Sequence, residues 1–584
     1  MKNPEPVHAA VSMDPITFEV VRNALVEATE EMSIALKRSA YSTNIKTRAD
    51  YSCAFFDRDL HPVAQAFTQP VHLGSLSQIV PQVISAYGPE NIFPEDGILA
   101  NDPYLGGVHL NDITLISPVH YQGRLFGYVA SLAHHVDVGG GAPASIGAFR
   151  EVFQEGIIIP GIKLVAEGKI NDDLFRLVLA QIRSKRETAG DFRAQIAANT
   201  TGARRIQALL DRMGRETIES TIDELMAYTE RRARADIAKL PQGTFAAEGL
   251  IDNDGFTDIP VRLRVQVVID DDGILFDLSG SDPQRRAPVN ATFAQTYSAC
   301  AYVLKALISP DVPVNQGLYR LVRIHAPLGT VVNARAPAPV VGGWETNARL
   351  TDVIFKALSP ALPARIPAGT KGMMCQVGFG GHDPRTDELF AYYETLAGGY
   401  GGRAASDGPD AVQCHGQNTE NAPIEETEIH YPVRITRYEL IDDSEGPGRQ
   451  RGGLGLRRDY LFGQDVSFTV LADRDREGPW GLFGGSGAGP ARYVLNPGEQ
   501  GTNIGSKSTI ELSPGDVISV QSCGGGGFGP AEQRDPEAVL VDVRDGKVSV
   551  ERAREIYRVV IDAERWTIDV ASTERLRAES SAGQ

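Results

Sequence analysis

Residues 101–141 read NDPYLGGVHLNDITLISPVHYQGRLFGYVASLAHHVDVGGG, and they carry the clearest architectural pattern and the densest chemistry of the chain. Residues 113–117 and 125–133 are apolar runs of strand length, joined by a polar turn at Gln122-Gly123. His109 and Asp112 stand just before the first run, and the second leads straight into His134. Neighbouring strands of this kind bring those residues to one end of a sheet. His135 and Asp137 follow at once, and glycines flank the whole group. Imidazole together with carboxylate suits borderline divalent ions such as Zn²⁺, Mn²⁺ or Fe²⁺. The chain has 11 histidines, so His109, His134 and His135 in this short region are a concentration. His134 and His135 point to opposite faces if they extend a strand, so one of the two is expected as a direct ligand.

Working outward, 584 residues are too many for one hydrophobic core, and several domains are expected. A composition of 42% hydrophobic and 23% charged residues is that of an ordinary globular chain. The net charge of −18 argues against a nucleic-acid backbone or an anionic membrane as partner. No apolar run approaches the ~20 residues that span a bilayer. The first fifteen residues, MKNPEPVHAAVSMDP, show no basic segment followed by an apolar one, so export is not expected. Cys53, Cys300, Cys375, Cys414 and Cys523 form no CxxC pair. That suits a reducing cytoplasm and leaves any metal to His and carboxylate.

Asp14-Pro15 is a helix start, and apolar residues at Phe18, Val21, Leu25, Ala28, Met32 and Leu36 extend the helix to about Ser39. YSCAFF, from Tyr51, reads as a buried strand. Residues 171–242 are helical in character, with two or three helices. From Gly243 short strands return, residues 261–269 and 274–278 flanking a DDDG turn, with helices over 292–306 and 346–358. The last third alternates strands (434–440, 467–472 and 517–521) with Gly/Pro turns, then a helix over 550–557 and a polar tail. The expected fold is mixed α/β (α+β) and multidomain. It comprises an N-terminal metal-bearing α/β domain (1–170), a helical segment (171–242), a central α/β domain (243–440) and a strand-rich C-terminal domain with a terminal helix (441–584). Glycine numbers 60 and clusters in GGYGG, RGGLGLRR, GLFGGSGAGP and CGGGGFGP. None ends in the Lys-Ser/Thr of a P-loop or forms GxGxxG, so structural turns are expected rather than a phosphate cradle.

The motifs STNIKTRADYSCAFFD, QPVHLGSL, NDPYLGGVHLND, AHHVDVGG, YYETLAGGYGGR, SEGPGRQRGGLG and GDVISVQSCGGGGFGP occur in one order. In this the chain resembles the hydantoinase B/oxoprolinase family, which includes subunits of acetone and acetophenone carboxylases. The resemblance implies a Zn- or Mn-bearing subunit of an ATP-dependent hydrolase of cyclic amides: hydantoins, 5-oxoproline or lactams. It implies a kinase-like A subunit that binds ATP and Mg²⁺, in an (αβ)2 assembly, and it assigns the metal to Asp50, His109, Asp112 and His134. His135 and Asp137 then become candidates for moving protons. A ketone carboxylase using bicarbonate is the second activity the resemblance admits, and a catalytically silent scaffold the third. Several residues stay open to two readings. Asp50 either binds metal or caps a turn beside Arg48, and His72 either lines the site or is simply buried. The acids of PIEETEIH form either a cation site or a solvated strand edge. Arg449, Arg451, Arg457 and Arg458 either hold an anion or pair with acids.

Overall fold

The computed structural model describes residues 14–582, so the reading of residues 1–13 as free of an export segment lies outside it. The expected hairpin is present as strands Asp112–Tyr121 and Arg124–His134, antiparallel, with Gln122 and Gly123 both at positive φ (50° and 74°). Two such residues give the turn whose twist matches the strands it joins. The hairpin lies at the centre of a seven-stranded antiparallel sheet that also takes in Tyr51–Asp57, Pro62–Gln65, Gly97–Ala100, Pro160–Ala166 and Lys169–Ile170. Tyr51–Asp57 is apolar on both faces because both faces are covered. Cys53 and Phe55 meet helices Pro15–Ser39 and Lys185–Met213, while Ala54 and Phe56 meet helix Pro70–Tyr87. The result is a helix–sheet–helix sandwich.

Helix Pro15–Ser39 begins as its sequence dictates: the Asp14 carboxylate accepts the Thr17 amide at 2.9 Å, and Val21, Leu25, Ala28, Met32 and Leu36 are buried. Residues 171–242 fold as three helices, Asp172–Ala180, Lys185–Met213 and Arg215–Ile237, and the long pair shares the core of the N-terminal sheet.

A second sheet, formed by Gly243–Ile251, Val261–Asp270, Gly273–Asp277 and Val322–His325, packs with helices Phe293–Leu307 and Gly343–Leu358. The third body is a sandwich of a four-stranded and a five-stranded sheet around one core. Here the boundary expected between residues 440 and 441 is not followed, because strand Gln376–Asp383 pairs along its length with Val466–Leu471. Two sheets that share a core cannot belong to different domains. At the C-terminus the expected polar tail carries a further helix, Val570–Ala582. Among the described residues no helix is long and apolar enough to cross a membrane.

The glycine runs pack on one another. Gly453 N donates to Tyr400 O (2.8 Å), Gly525 N to Gly453 O (2.9 Å), Gly402 N to Gly526 O (2.8 Å) and Gly446 N to Gly525 O (2.7 Å). Backbones lie so close that a Cβ on Gly452 would stand 1.8 Å from Gly525 O. Glycine is required here for the proximity of the backbones.

Glu155 ties the segment after the hairpin to the central domain. Its Oε1 accepts the amides of Val340 and Val341 at 2.6 and 2.9 Å, and burial pushes its carboxyl up to about 8. The folded chain keeps a proton here that the unfolded chain releases near pH 4.5, so stability falls as pH rises between those values and levels off above them. Glu155→Gln keeps the acceptor oxygen and removes this dependence. Melting temperature measured from about pH 5 to 8 is expected to slope less downward than wild type, and an unchanged slope would contradict a protonated Glu155.

Candidate metal centre

Asp112 opens its strand and His134 closes the neighbouring one, and the register sets the two directly opposite each other. His134 Nδ1 lies 3.1 Å from Asp112 Oδ1. His109 reaches the same carboxylate from the preceding turn, where Asp112 N donates to His109 O, and its Nε2 stands 3.1 Å from Oδ2. Ligand atoms of His109, Asp112 and His134 lie within 4.8 Å of one another, and all three side chains are buried.

Other elements fix this group. Trp344 Nε1, in the first turn of helix Gly343–Leu358, donates to Asp112 Oδ2 at 3.1 Å. Tyr393 stacks on the His134 ring with centroids 4.3 Å apart. Asp50 enters from the start of strand Tyr51–Asp57, where its carbonyl accepts the His134 amide at 3.0 Å. Its side chain is 3.7 Å from His72 Nε2, which in turn lies 3.8 Å from Asp112 Oδ1. His72 therefore faces the centre from helix Pro70–Tyr87 and bridges the two acids.

The electrostatics follow from burial and proximity. Burial raises the Asp112 carboxyl, but His109, His72 and the His134 hydrogen bond outweigh it and hold the group well below the usual carboxylate range. Asp50 is raised by burial, which the charges of His134 and Arg48 only partly oppose. His134 and His72 are lowered, chiefly because burial disfavours their cations. Neutral imidazole is the form that binds a metal ion.

His135 and Asp137 are not brought to this group. His135 turns to the opposite face, its Nε2 3.0 Å from Gln195 Oε1 and its ring against Phe192. Asp137 pairs with Arg183 at 3.0 Å and accepts the Gly139 amide. The cause is the alternation that separates His134 from His135. PIEETEIH is a helix, Ile424–His430, not a strand edge; Glu425 and Glu426 lie in its first turn, where acids suit the helix dipole. Glu426 accepts from Thr47 Oγ1 and Glu428 from Ile435 N. Arg451 pairs with Asp410 and Asp542, Arg457 with Asp459, and Arg458 with Glu394, so these arginines serve the fold. Trp344 is not legible as a site residue in the sequence, where the helical pattern starts only at Thr346; the helix itself begins earlier, at Gly343.

The fold and this group define a multidomain α/β protein with a buried His/Asp centre at the end of the central strands of its N-terminal sheet. The hydantoinase B/oxoprolinase family profile matches residues 14–531, and the chain belongs to that family. It is 33% identical to a putative D-/L-hydantoinase subunit from Pseudomonas sp. strain NS671, over 97% of this chain and 98% of that one. Its fold matches the crystal structure of an ATP-dependent caprolactamase from Pseudomonas jessenii with a TM-score of 0.90 and 30% identity, over 97% of this chain and all (100%) of that one. Acetone carboxylase in a nucleotide-free structure shares the fold, with a TM-score of 0.91 and 20% identity over 98% of this chain and 83% of that chain.

Proposed function

We propose that this chain is the metal-bearing subunit of an ATP-dependent hydrolase of cyclic amides, paired with a kinase-like subunit that binds ATP and Mg²⁺ in an (αβ)2 assembly. The observation that carries the reading is the buried convergence of His109, Asp112 and His134. Both His109 nitrogens and His134 Nε2 are buried without a well-aligned hydrogen-bond partner among the described residues, a cost that a bound cation removes. The donor set of imidazole and carboxylate fits Zn²⁺ or Mn²⁺, with Asp50 as the fourth ligand. Bound there, the metal supplies Lewis acidity and a water made nucleophilic near neutral pH.

The chain's own residues set the rest. Trp344 and His134 hold the two Asp112 oxygens, so the carboxylate cannot rotate away. Tyr393 fixes the His134 ring plane. Proton transfer belongs to His72 rather than to His135 or Asp137, because His72 stands between Asp50 and Asp112 and its Nδ1 is uncommitted. An unactivated amide is a poor electrophile, and ATP spent on the partner activates it. The relatives named as a hydantoinase subunit and a caprolactamase support this substrate class.

The test is a reaction of the reconstituted pair with ATP, labelled bicarbonate and a set of hydantoins, lactams and ketones. Ring-opened product without label, formed with ATP consumption, is expected. Label retained in a β-keto acid from a ketone substrate would contradict the hydrolase reading in favour of a carboxylase.

A further inference from the structure

We propose that a cavity between helices Phe293–Leu307 and Gly343–Leu358 and the 400–415 segment binds a small organic carboxylate with a flat apolar body. Its volume, about 390 Å³, is that of a small-molecule site. The rings of Tyr302, Phe355 and Tyr400 surround His415 at centroid distances of 5.8, 4.6 and 5.0 Å. Arg365 and Arg403 stand exposed at the edge of the same cavity.

The charge pattern selects the ligand. Neither arginine makes an ion pair among the described residues. The Arg365 side chain donates only to Leu307 O, at 2.8 Å, in a chain with 18 excess negative charges. The buried Arg451, Arg458, Arg474 and Arg534 are all matched with acids, whereas these two guanidiniums stand at the cavity's edge without one. His415 adds no charge: burial lowers it to about 4, and Tyr400 Oη lies 2.8 Å from its Nδ1. A ligand seated here places a ring among neutral aromatics and an anionic end against two guanidiniums that have no acid partner. Beside His415, Gly416 O accepts the amide of Val71, the neighbour of His72 in the metal centre. Ring opening turns a neutral amide into a carboxylate, so the cavity favours product over substrate; that extension, unlike the binding itself, rests on the function proposed above.

Calorimetric titration of the full chain with benzoate, benzamide and inorganic phosphate, with and without EDTA, tests this. Benzoate is expected to bind one-to-one, with benzamide and phosphate each about tenfold weaker or more. Arg403→Gln and Arg365→Gln should each weaken benzoate by about tenfold and leave benzamide unchanged. The proposal is overturned if benzoate does not saturate, if phosphate binds equally well, or if both variants bind as wild type. Loss of benzoate binding in EDTA also overturns it, because the signal then belongs to the metal centre; that outcome leaves the proposed function standing.

Discussion

Asp112→Asn is expected to empty the metal centre and abolish ring opening while leaving the chain folded. The substitution keeps the volume and removes the charge on which His109, His134 and His72 converge. One amide cannot accept from both Trp344 Nε1 and His134 as the carboxylate does, since half of it is a donor. Outer partners of metal ligands already cost 10–100-fold when mutated, so loss of this central carboxylate should cost roughly a hundredfold or more in metal affinity. Metal content after gel filtration, activity with the partner and ATP, and a melting curve check the prediction together. Asp137→Asn is the internal comparison. It breaks the pair with Arg183 and costs stability, but it should leave metal content unchanged, because that side chain faces away from the centre. Equal metal loss in both variants would contradict the assignment.

Gly525→Ala should be strongly destabilising for a single added methyl group. The added Cβ would stand 2.0 Å from Tyr400 O and 2.8 Å from Gly401 N, atoms of a backbone that is itself hydrogen-bonded into the array and cannot retreat. Overpacking in a rigid surrounding costs 1–3 kcal/mol and sometimes more, and contact with backbone puts this case at about 3 kcal/mol or above. Gly463→Ala, at an exposed position where a Cβ meets nothing within 4 Å, should fall within about 0.5 kcal/mol of wild type. Denaturation of the two variants side by side measures the contrast. Similar midpoints would show that the glycine runs are loose turns and not an interlocked array.

Local pattern makes much of this fold legible. Helix Pro15–Ser39, the central hairpin, the three helices after Asn171 and the strands of the last third follow from apolar period, caps and turn residues. Long-range pairing does not show in such patterns. Composition alone misplaces the sandwich boundary, because the partnership of Gln376–Asp383 with Val466–Leu471 spans a distance in sequence that no local period records. At the site, the register of one hairpin already places Asp112 near His134, and the motif before Tyr51 supplies Asp50. His72, Trp344 and Tyr393 come from three other elements, and only packing reveals that they converge on the same group. Closeness in sequence draws His135 and Asp137 into the candidate set, and the alternation of a strand takes His135 to the other face.

The most direct test of the account is an anomalous-difference map from crystals of the purified chain, collected at the zinc and manganese edges. A single strong peak bounded by His109, Asp112 and His134, with Asp50 beside it, is the predicted result. In the only other close acidic or histidine group among the described residues, Asp252, Asp473 and Asp475, the central Asp473 is already paired with Arg349 and Lys507, and this group should stay empty. A map with no peak at His109, or with the metal at the Asp473 group instead, would contradict the central claim.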